Sequence, residues 1–354
     1  MIDNFGRLKA ILAQIPNDAP MTIVGSDGVA TSITEIEYIK TTNEDGSETM
    51  NGNIYIAGGA VGGGKLILTF ATPITTLTIQ PGQGTTYQPS LDLDINGVSW
   101  SGVLSANTDI ILPSATTEVI ITEKTGITGW AFCLKWQNNT NLVSCVSDGS
   151  YNYSVTWDNC GNNMFRGCTS LVTAPDLPAT TLASNCYHYM FTDCSSLVTA
   201  PDLPATTLKS YCYKYMFSGC SSLVTAPVLP ATTLASNCYY YMFYNCSSLT
   251  TAPVLPATTL ASNCYQYMFQ NCSSLVTAPV LPATTLASNC YQYMFYGCTS
   301  LTTCKIAAPT WTATWTQYML ASTGTTGSAN LHCNNPSALT ATTATSKWTL
   351  VAYP

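Results

Sequence analysis

A 26-residue unit recurs almost verbatim over residues 160–304, and no other feature limits the fold of this chain as strongly. One copy, beginning at Cys238, reads CYYYMFYNCSSLTTAPVLPATTLASN; the same frame opens at Cys160, Cys186, Cys212, Cys238, Cys264 and Cys290. A unit this short cannot bury its own apolar face, so six copies in register must stack into a solenoid whose core is shared between neighbours. At about 4.8 Å per coil the stack is roughly 30 Å long.

Each copy divides into two halves. In the copy from Ser262, Ser262 or Asn263 is placed to cap a short helix over residues 264–270. On a helical wheel Cys264, Tyr265, Met268, Phe269 and Cys272 share one face, and these positions barely vary among copies, as core positions should. Gln266 and Gln270 fall four apart on the opposite face, where a charge should be tolerated. Their columns do vary: His188, Lys214, Tyr240, Gln266 and Gln292 in one, and Arg166, Thr192, Ser218, Tyr244, Gln270 and Tyr296 in the other. Asn271, or Gly167, Gly219 and Gly297 in sister copies, supplies the left-handed residue that ends the helix. The second half, SSLVTAPVLPATTL, is extended, with Leu275, Leu281 and Leu286 as core residues. Its two prolines, Pro279 and Pro282, limit regular pairing. The expected coil is a short strand, an extended return and a brief helix.

Twelve of the sixteen cysteines fall into two columns of the repeat, Cys160, Cys186, Cys212, Cys238, Cys264 and Cys290, and Cys168, Cys194, Cys220, Cys246, Cys272 and Cys298. Periodic placement reads as reduced thiols serving as small buried hydrophobes. A disulfide framework is the other reading. A metal site finds little support, with no CxxC pair and two histidines in the chain. No metal and no cofactor is expected.

The flanks are different in kind. Residues 1–20 hold one short amphipathic helix, over 4–15, with Phe5, Leu8, Ile11 and Leu12 on a face and Pro16 and Pro20 stopping it. It either packs on its own domain or anchors a partner. Residues 21–125 read as an all-β sandwich or jelly roll serving for attachment, with strands over 21–24, 32–39, 53–56, 65–71, 76–79, 91–95, 109–112 and 118–122. Within them GAVGGGK at 59–65 fits GxxxxGK, but Leu66 replaces the magnesium-binding hydroxyl and a strand pattern, LILTF, follows where a phosphate loop needs a helix. It reads as a Gly-rich connection. Residues 126–159 form an entry cap, where Trp130, Phe132, Trp136, Tyr151, Tyr153 and Trp157 cover the open end of the first coil. Residues 305–354 form the C-terminal cap.

Charge excludes several partners. Only 8% of residues are charged against 46% hydrophobic, the net charge is −7, and residues 215–304 hold no Asp, Glu, Lys, Arg or His. Such a surface suits neither nucleic acid nor an anionic membrane, and no stretch has the length of a membrane span. The N-terminus, MIDNFGRLKAILAQIPNDAP, starts acidic, is interrupted by Lys9, Gln14 and Pro16, and lacks a small-residue cleavage site, so it does not read as a secretory signal.

The run MFxxCxSLxxAPxLP…C resembles the BspA-like leucine-rich repeats, whose coils read AFxxCxxLxxVxLPxxVxxIxxxAF. The likeness covers about 145 residues, with Phe, Cys, Leu and Pro in the same order. This chain departs from it in period, 26 residues against about 23, and in Ala-Pro where a β-branched strand residue is usual, which argues against a long regular sheet. The last segment also resembles the aromatic, Thr-rich endings of such proteins: WTQYML at 315–320 mimics CYQYMF, and Cys333, Trp348 and Tyr353 close the solenoid. The resemblance implies a surface adhesin, as in gut Bacteroidales, or a protein of their phages.

No catalytic constellation survives inspection. His188, Asp193 and Ser195 lie within eight residues, but the expected helix separates them, and sister copies replace His188 with Lys, Tyr or Gln. The chain reads as non-enzymatic. Tyr189, Tyr215, Tyr241, Tyr267 and Tyr293 form a ladder at the edge of the core face, read as structural, with stacked rings bridging coils. The two variable columns are the candidate recognition surface, and a neutral Tyr, Asn, Gln, Ser and Thr surface suits sugars. Three readings follow. The first is a virion fibre or decoration protein, attached to its particle or to its own copies through residues 1–125 and displaying the repeats toward host surface glycans or proteins. The second is a bacterial cell-surface adhesin. The third is an intracellular protein-interaction scaffold. The expected location is the virion or the cell surface.

Overall fold

The computed structural model describes residues 21–24, 30–42, 48–57, 65–81, 90–104, 106–123, 134–136, 139–147, 158–309, 313–323, 329–333 and 348–352. The helix expected over 4–15, the Gly-rich connection at 58–64, and Trp130, Phe132, Tyr151, Tyr153, Trp157 and Tyr353 lie outside the described residues. The chain divides into two compact units, Met1–Val61 and Gly62–Pro354. The strands expected over residues 21–125 are shared between them.

The first unit carries an antiparallel sheet of β1 (Met21–Val24), β2 (Ala30–Thr42) and β3 (Glu48–Ala57), in the order β1-β2-β3. Met21 pairs with Ile33, and Thr42 with Glu48.

The second unit begins with β4 (Lys65–Pro81), β5 (Ser90–Ile95), β6 (Val98–Val103), β7 (Thr108–Glu123), β8 (Leu134–Lys135) and β9 (Leu142–Ser147). The sheet order is β6-β5-β7-β4-β8, and β9 also pairs with β4. Strands expected at 65–71 and 76–79 are one long strand. Its register against β7 shifts between Thr69 and Thr76, where Pro73 removes a ladder donor. Strand β6 was not expected from the sequence. Asn96 and Gly97 take φ of 49° and 85°, the pair of positive angles a two-residue hairpin needs. Asn96 also accepts from the Ile120 N–H at 2.8 Å and donates to the Glu118 carbonyl at 3.1 Å, tying the hairpin to β7. Period-two burial of Leu66, Leu68 and Phe70 on β4 and of Leu91, Leu93 and Ile95 on β5 gives the sheet one apolar face.

That sheet runs directly into the solenoid. While β9 pairs antiparallel with β4, its Ser144 makes a parallel bridge to Thr173 of the first coil. The Cys145 N–H donates to the Thr173 carbonyl at 3.0 Å, and the Trp136 N–H to the Met164 carbonyl at 2.7 Å. One continuous apolar core therefore extends from Leu66 to Trp348.

The helix expected in each coil is absent. In the coil from Cys238, the N–H groups of Tyr241, Phe243 and Asn245 donate to Gln266, Met268 and Gln270 of the next coil, at 3.1, 2.9 and 2.9 Å. The alternate groups, of Met242, Tyr244 and Cys246, donate three residues back within the coil at 3.2 Å each. A helix sends every N–H along its own axis. Here a ribbon of consecutive turns diverts every second one to the neighbour, so the backbone between coils is hydrogen-bonded rather than left as buried unpaired groups. Asn237, Tyr241 and Asn245 take φ of 58°, 56° and 59°, which no α-helix contains. The expected left-handed terminators hold their place: Gly167, Gly219, Asn271 and Gly297 have φ of 74°, 76°, 63° and 75°.

The expected core columns are buried in every coil. Phe165, Phe191, Phe217, Phe243, Phe269 and Phe295 stack at 5.4–5.6 Å, and Tyr187, Tyr213, Tyr239, Tyr265 and Tyr291 at 5.7–5.9 Å. Leu275 and Leu281 are buried, whereas Leu286 is only half-buried, packed against the core edge. The fifteen described cysteines carry reduced thiols and all are buried. Burial pushes Cys168, Cys186 and Cys290 up to about 12 and Cys212 to about 11.

The extended half pairs sparingly, as its prolines require. Inner coils meet through single parallel bridges such as Thr199 to Thr225 and Thr225 to Thr251. Continuous strands form only toward the C-terminal end: β10 (Thr277–Leu281), β11 (Thr303–Ile306), β12 (Ala329–His332) and β13 (Trp348–Val351) make a parallel sheet in that order. The last three strands contain no proline, and the one with Pro279 shifts register across it. A four-residue helix, α1 (Ala313–Thr316), precedes a seventh ribbon, in which Gln317 and Met319 accept from Tyr293 and Phe295 at 2.9 and 3.0 Å.

Candidate functional site

The ribbons place three columns side by side on one surface. At the centre runs the second tyrosine ladder. Tyr189, Tyr215, Tyr241, Tyr267, Tyr293 and Tyr318 are half-buried, with successive rings 4.8, 4.6, 4.2, 4.8 and 4.9 Å apart. All six sit at positive φ, between 55° and 60°. A residue with a Cβ pays roughly 1–2 kcal/mol there, so the surrounding hydrogen bonds must hold the backbone in place. Because the rings stack face to face, interior members offer a ligand their edges and hydroxyls, not their faces. The stacking bears out the reading of this ladder as structural, with rings bridging coils. Burial first, then neighbouring tyrosines, push the Tyr215 and Tyr241 phenols upward, so these hydroxyls stay protonated across ordinary pH.

The two variable columns flank this ladder instead of occupying a solvent face opposite the core. In the first, His188, Lys214, Tyr240 and Gln292 are half-buried and Gln266 is only 8% exposed. The Gln266 amide donates to Gln292, whose own amide donates to Gln317 at 2.9 Å. Sequence reasoning did not single out Gln317. In the second column Arg166, Tyr244, Gln270 and Tyr296 are half-buried, while Thr192 and Ser218 are buried. The Thr192 hydroxyl donates to the Tyr215 carbonyl at 2.6 Å. Tyr240 and Tyr244 set their edges on Tyr241 at 4.6 and 5.2 Å, and Tyr296 meets Tyr293 at 5.8 Å. The columns thus form one stripe with the ladder, although the expected exposure is not met at Gln266, Thr192 or Ser218.

Charge gathers at the first coils of the stripe. The Arg166 guanidinium lies 5.1 Å over the Tyr189 ring, and the His188 ring stacks on Tyr189 at 4.1 Å. The Lys214 ammonium sits among Tyr211, Tyr215 and Tyr240 at 5.0, 5.7 and 5.2 Å. Burial, then Lys214 and Arg166, pull the His188 imidazole down to about 4.

No catalytic geometry forms around His188. Its Nε2 has no hydrogen-bond partner among the described residues, Asp193 is exposed, and the Ser195 hydroxyl donates to the Thr169 carbonyl at 3.4 Å. Among the described residues no three His, Cys, Asp or Glu side chains are grouped to hold a metal ion, and no helix is long and apolar enough to cross a membrane.

In comparison with known proteins, the family model described as a BspA type leucine-rich repeat region matches residues 144–276 and 239–335, in six copies. No curated protein and no solved structure matches the chain.

Proposed function

The chain belongs to the BspA-type leucine-rich repeat family, with more than half of its length matched, and from that premise we propose that it is a non-enzymatic recognition protein whose solenoid meets a surface ligand, a host glycan or protein, through the tyrosine stripe. The observation that carries this reading is the ladder from Tyr189 to Tyr318. Six half-buried tyrosines are held at a backbone angle that Asn or Gly would adopt with less strain. Repeated hydroxyls and amides along a rigid surface suit a polyhydroxylated ligand, with Thr, Ser and Gln on either side.

In this reading the protein is displayed on a virion as a fibre or decoration protein. Residues 1–125 attach it to the particle or to its own copies. Fifteen buried reduced thiols suit a chain that folds in a reducing cytosol and is then carried outward.

The test of recognition is a triple variant, Tyr215→Phe, Tyr241→Phe and Tyr267→Phe, probed on a glycan array beside the parent protein. It keeps the stacking and removes three hydroxyls. Binding is expected to fall at least about tenfold with the melting temperature unchanged, as for lost hydrogen bonds of about 0.5–1.5 kcal/mol each. Unchanged binding would remove the stripe from recognition. For display, mass spectrometry of purified particles should find the chain; recovery with the cell envelope alone sinks the virion reading.

A further inference from the structure

We propose that the first three coils of the stripe form an anion subsite, built by Arg166, His188 and Lys214 around Tyr189 and Tyr215, that takes the carboxylate or sulfate of an acidic saccharide. This deepens the recognition reading and rests on it.

The subsite stands where the repeat breaks its own rule. The ribbon positions are uncharged from residue 215 to 304, yet Arg166, His188 and Lys214 replace neutral residues of the same columns in the first three coils. Tyr211 likewise replaces the Asn found at 185, 237, 263 and 289, and its ring closes the cage around Lys214. On a chain of net charge −7, this gathers two cations, Arg166 and Lys214, and an imidazole at one end of the stripe. Lys135, buried near Arg166, adds a third basic side chain, lowered first by burial and then by Arg166.

These cations are held without being neutralised. Ring faces attract a cation through the quadrupole and leave its N–H donors unoccupied. Lys214 has three rings about it, and Arg166 spends one N–H on Asn163 Oδ1 at 3.4 Å. Among the described residues no carboxylate pairs with Arg166, His188 or Lys214; Asp193, the nearest acid in sequence to His188, points to solvent. Burial first, then Lys214 and Arg166, lower His188 and keep its imidazole neutral, and its buried Nε2 lacks a partner. An oxyanion supplies the negative charge that Arg166 and Lys214 lack and several acceptors, matched to the planar fork of an arginine. A saccharide is favoured over an acidic peptide because the stripe continues from this corner as phenol, amide and hydroxyl groups.

The experiment is titration calorimetry on the full chain with matched pairs: trigalacturonate against its methyl ester, 3′-sialyllactose against lactose, and a sulfated against an unsulfated galactose trisaccharide, with hexaglutamate as a peptide probe. At least one acidic saccharide is expected to bind about tenfold or more tighter than its neutral partner, the value of one or two charge-assisted hydrogen bonds. The pair that shows the preference identifies carboxylate or sulfate. The double variant Arg166→Thr and Lys214→Gln uses residues that sister coils carry at Thr192 and Gln266. It should abolish that preference, so that each acidic saccharide binds the variant no tighter than its neutral partner does. Equal binding of acidic and neutral partners overturns the subsite while recognition by the stripe stands. Hexaglutamate binding lost in the double variant, without any acidic saccharide preference, overturns the saccharide assignment. Absence of binding to every saccharide, together with an empty glycan array, takes down the recognition reading and the subsite with it.

Discussion

The thiol of Cys220 donates to the carbonyl oxygen of Phe191, one coil back, across 3.1 Å. The same contact joins Cys194 to Phe165, Cys246 to Phe217, Cys272 to Phe243 and Cys298 to Phe269, at 3.0–3.1 Å. The carbonyl also accepts the N–H of a cysteine in its own coil, Cys194 in the case of Phe191, at 3.1 Å. The thiol therefore fills a small buried space and meets a second lone pair. A disulfide would consume the hydrogen that makes the bond.

Alkylation tests this state. Under native conditions the repeat cysteines should not react with iodoacetamide, because they are buried and burial holds the thiols far from thiolate at neutral pH. In urea all should react. Labelling of most repeat thiols in the native protein, or an intact mass lower by several pairs of hydrogens, contradicts it. Cys220→Ser should cost about 1–3 kcal/mol, since the shorter C–O bond leaves a buried hydroxyl away from its carbonyl.

A second prediction separates core from stripe from open surface. Met242 is fully buried between coils, so Met242→Asp should cost several kcal/mol, about 4 or more, and unfold the central ribbons. Val254 is 76% exposed, and Val254→Asp should stay within about 0.5 kcal/mol. Gln266→Asp falls between, at about 1–3 kcal/mol, because it places a charge in a nearly closed amide ladder. Urea melts of the three variants rank them. Equal stability of Met242→Asp and Val254→Asp would mean the phase of the ribbon is wrong.

The Gln266 case shows what a single repeat can and cannot disclose. The period of 26, the core columns and the left-handed terminators were all legible, because apolar spacing and Asn or Gly placement are local. The helix was misread because spacing of three and four is met equally by consecutive turns. The contrary sign was Asn at both ends of the segment, as at Asn237 and Asn245, where a helix needs only one left-handed residue. Exposure was misjudged at Gln266 and Thr192 because the atoms that cover them belong to the next coil, which a one-coil wheel omits. The cation group was visible as three residues but not as a group. Arg166, His188 and Lys214 stand in two columns and three coils, and only stacking brings them to the same pair of tyrosines.

Acid should weaken the first coils through His188. Its folded value, about 4, lies below its ordinary 6.5, chiefly from burial and then from Lys214 and Arg166. Above pH 6.5 both folded and unfolded chains hold a neutral imidazole, and this group adds no pH dependence. Below 6.5 the unfolded chain takes up a proton that the folded chain refuses, so stability falls as pH drops from 6.5 to about 4 and then levels off. The melting temperature of His188→Gln, minus that of the parent, should therefore rise across this window and stay flat above it. A parallel pair of curves would show that His188 titrates normally in the fold.

The final prediction concerns where the chain can be cut. Because β9 pairs with β4 on one side and with Thr173 of the first coil on the other, the sheet of β4–β7 covers the end of the solenoid and shares its core. A fragment of residues 62–354 keeps the whole compact unit, so its sheet and first coils should melt together. A fragment of residues 126–354 lacks β4 and leaves Leu142 and Cys145, both buried in the whole chain, against solvent. It should lose several kcal/mol, melt roughly 10 °C or more lower, and bind an apolar dye. If both fragments melt alike and neither binds dye, the first coil is closed by its own residues, and the sheet is not its cap.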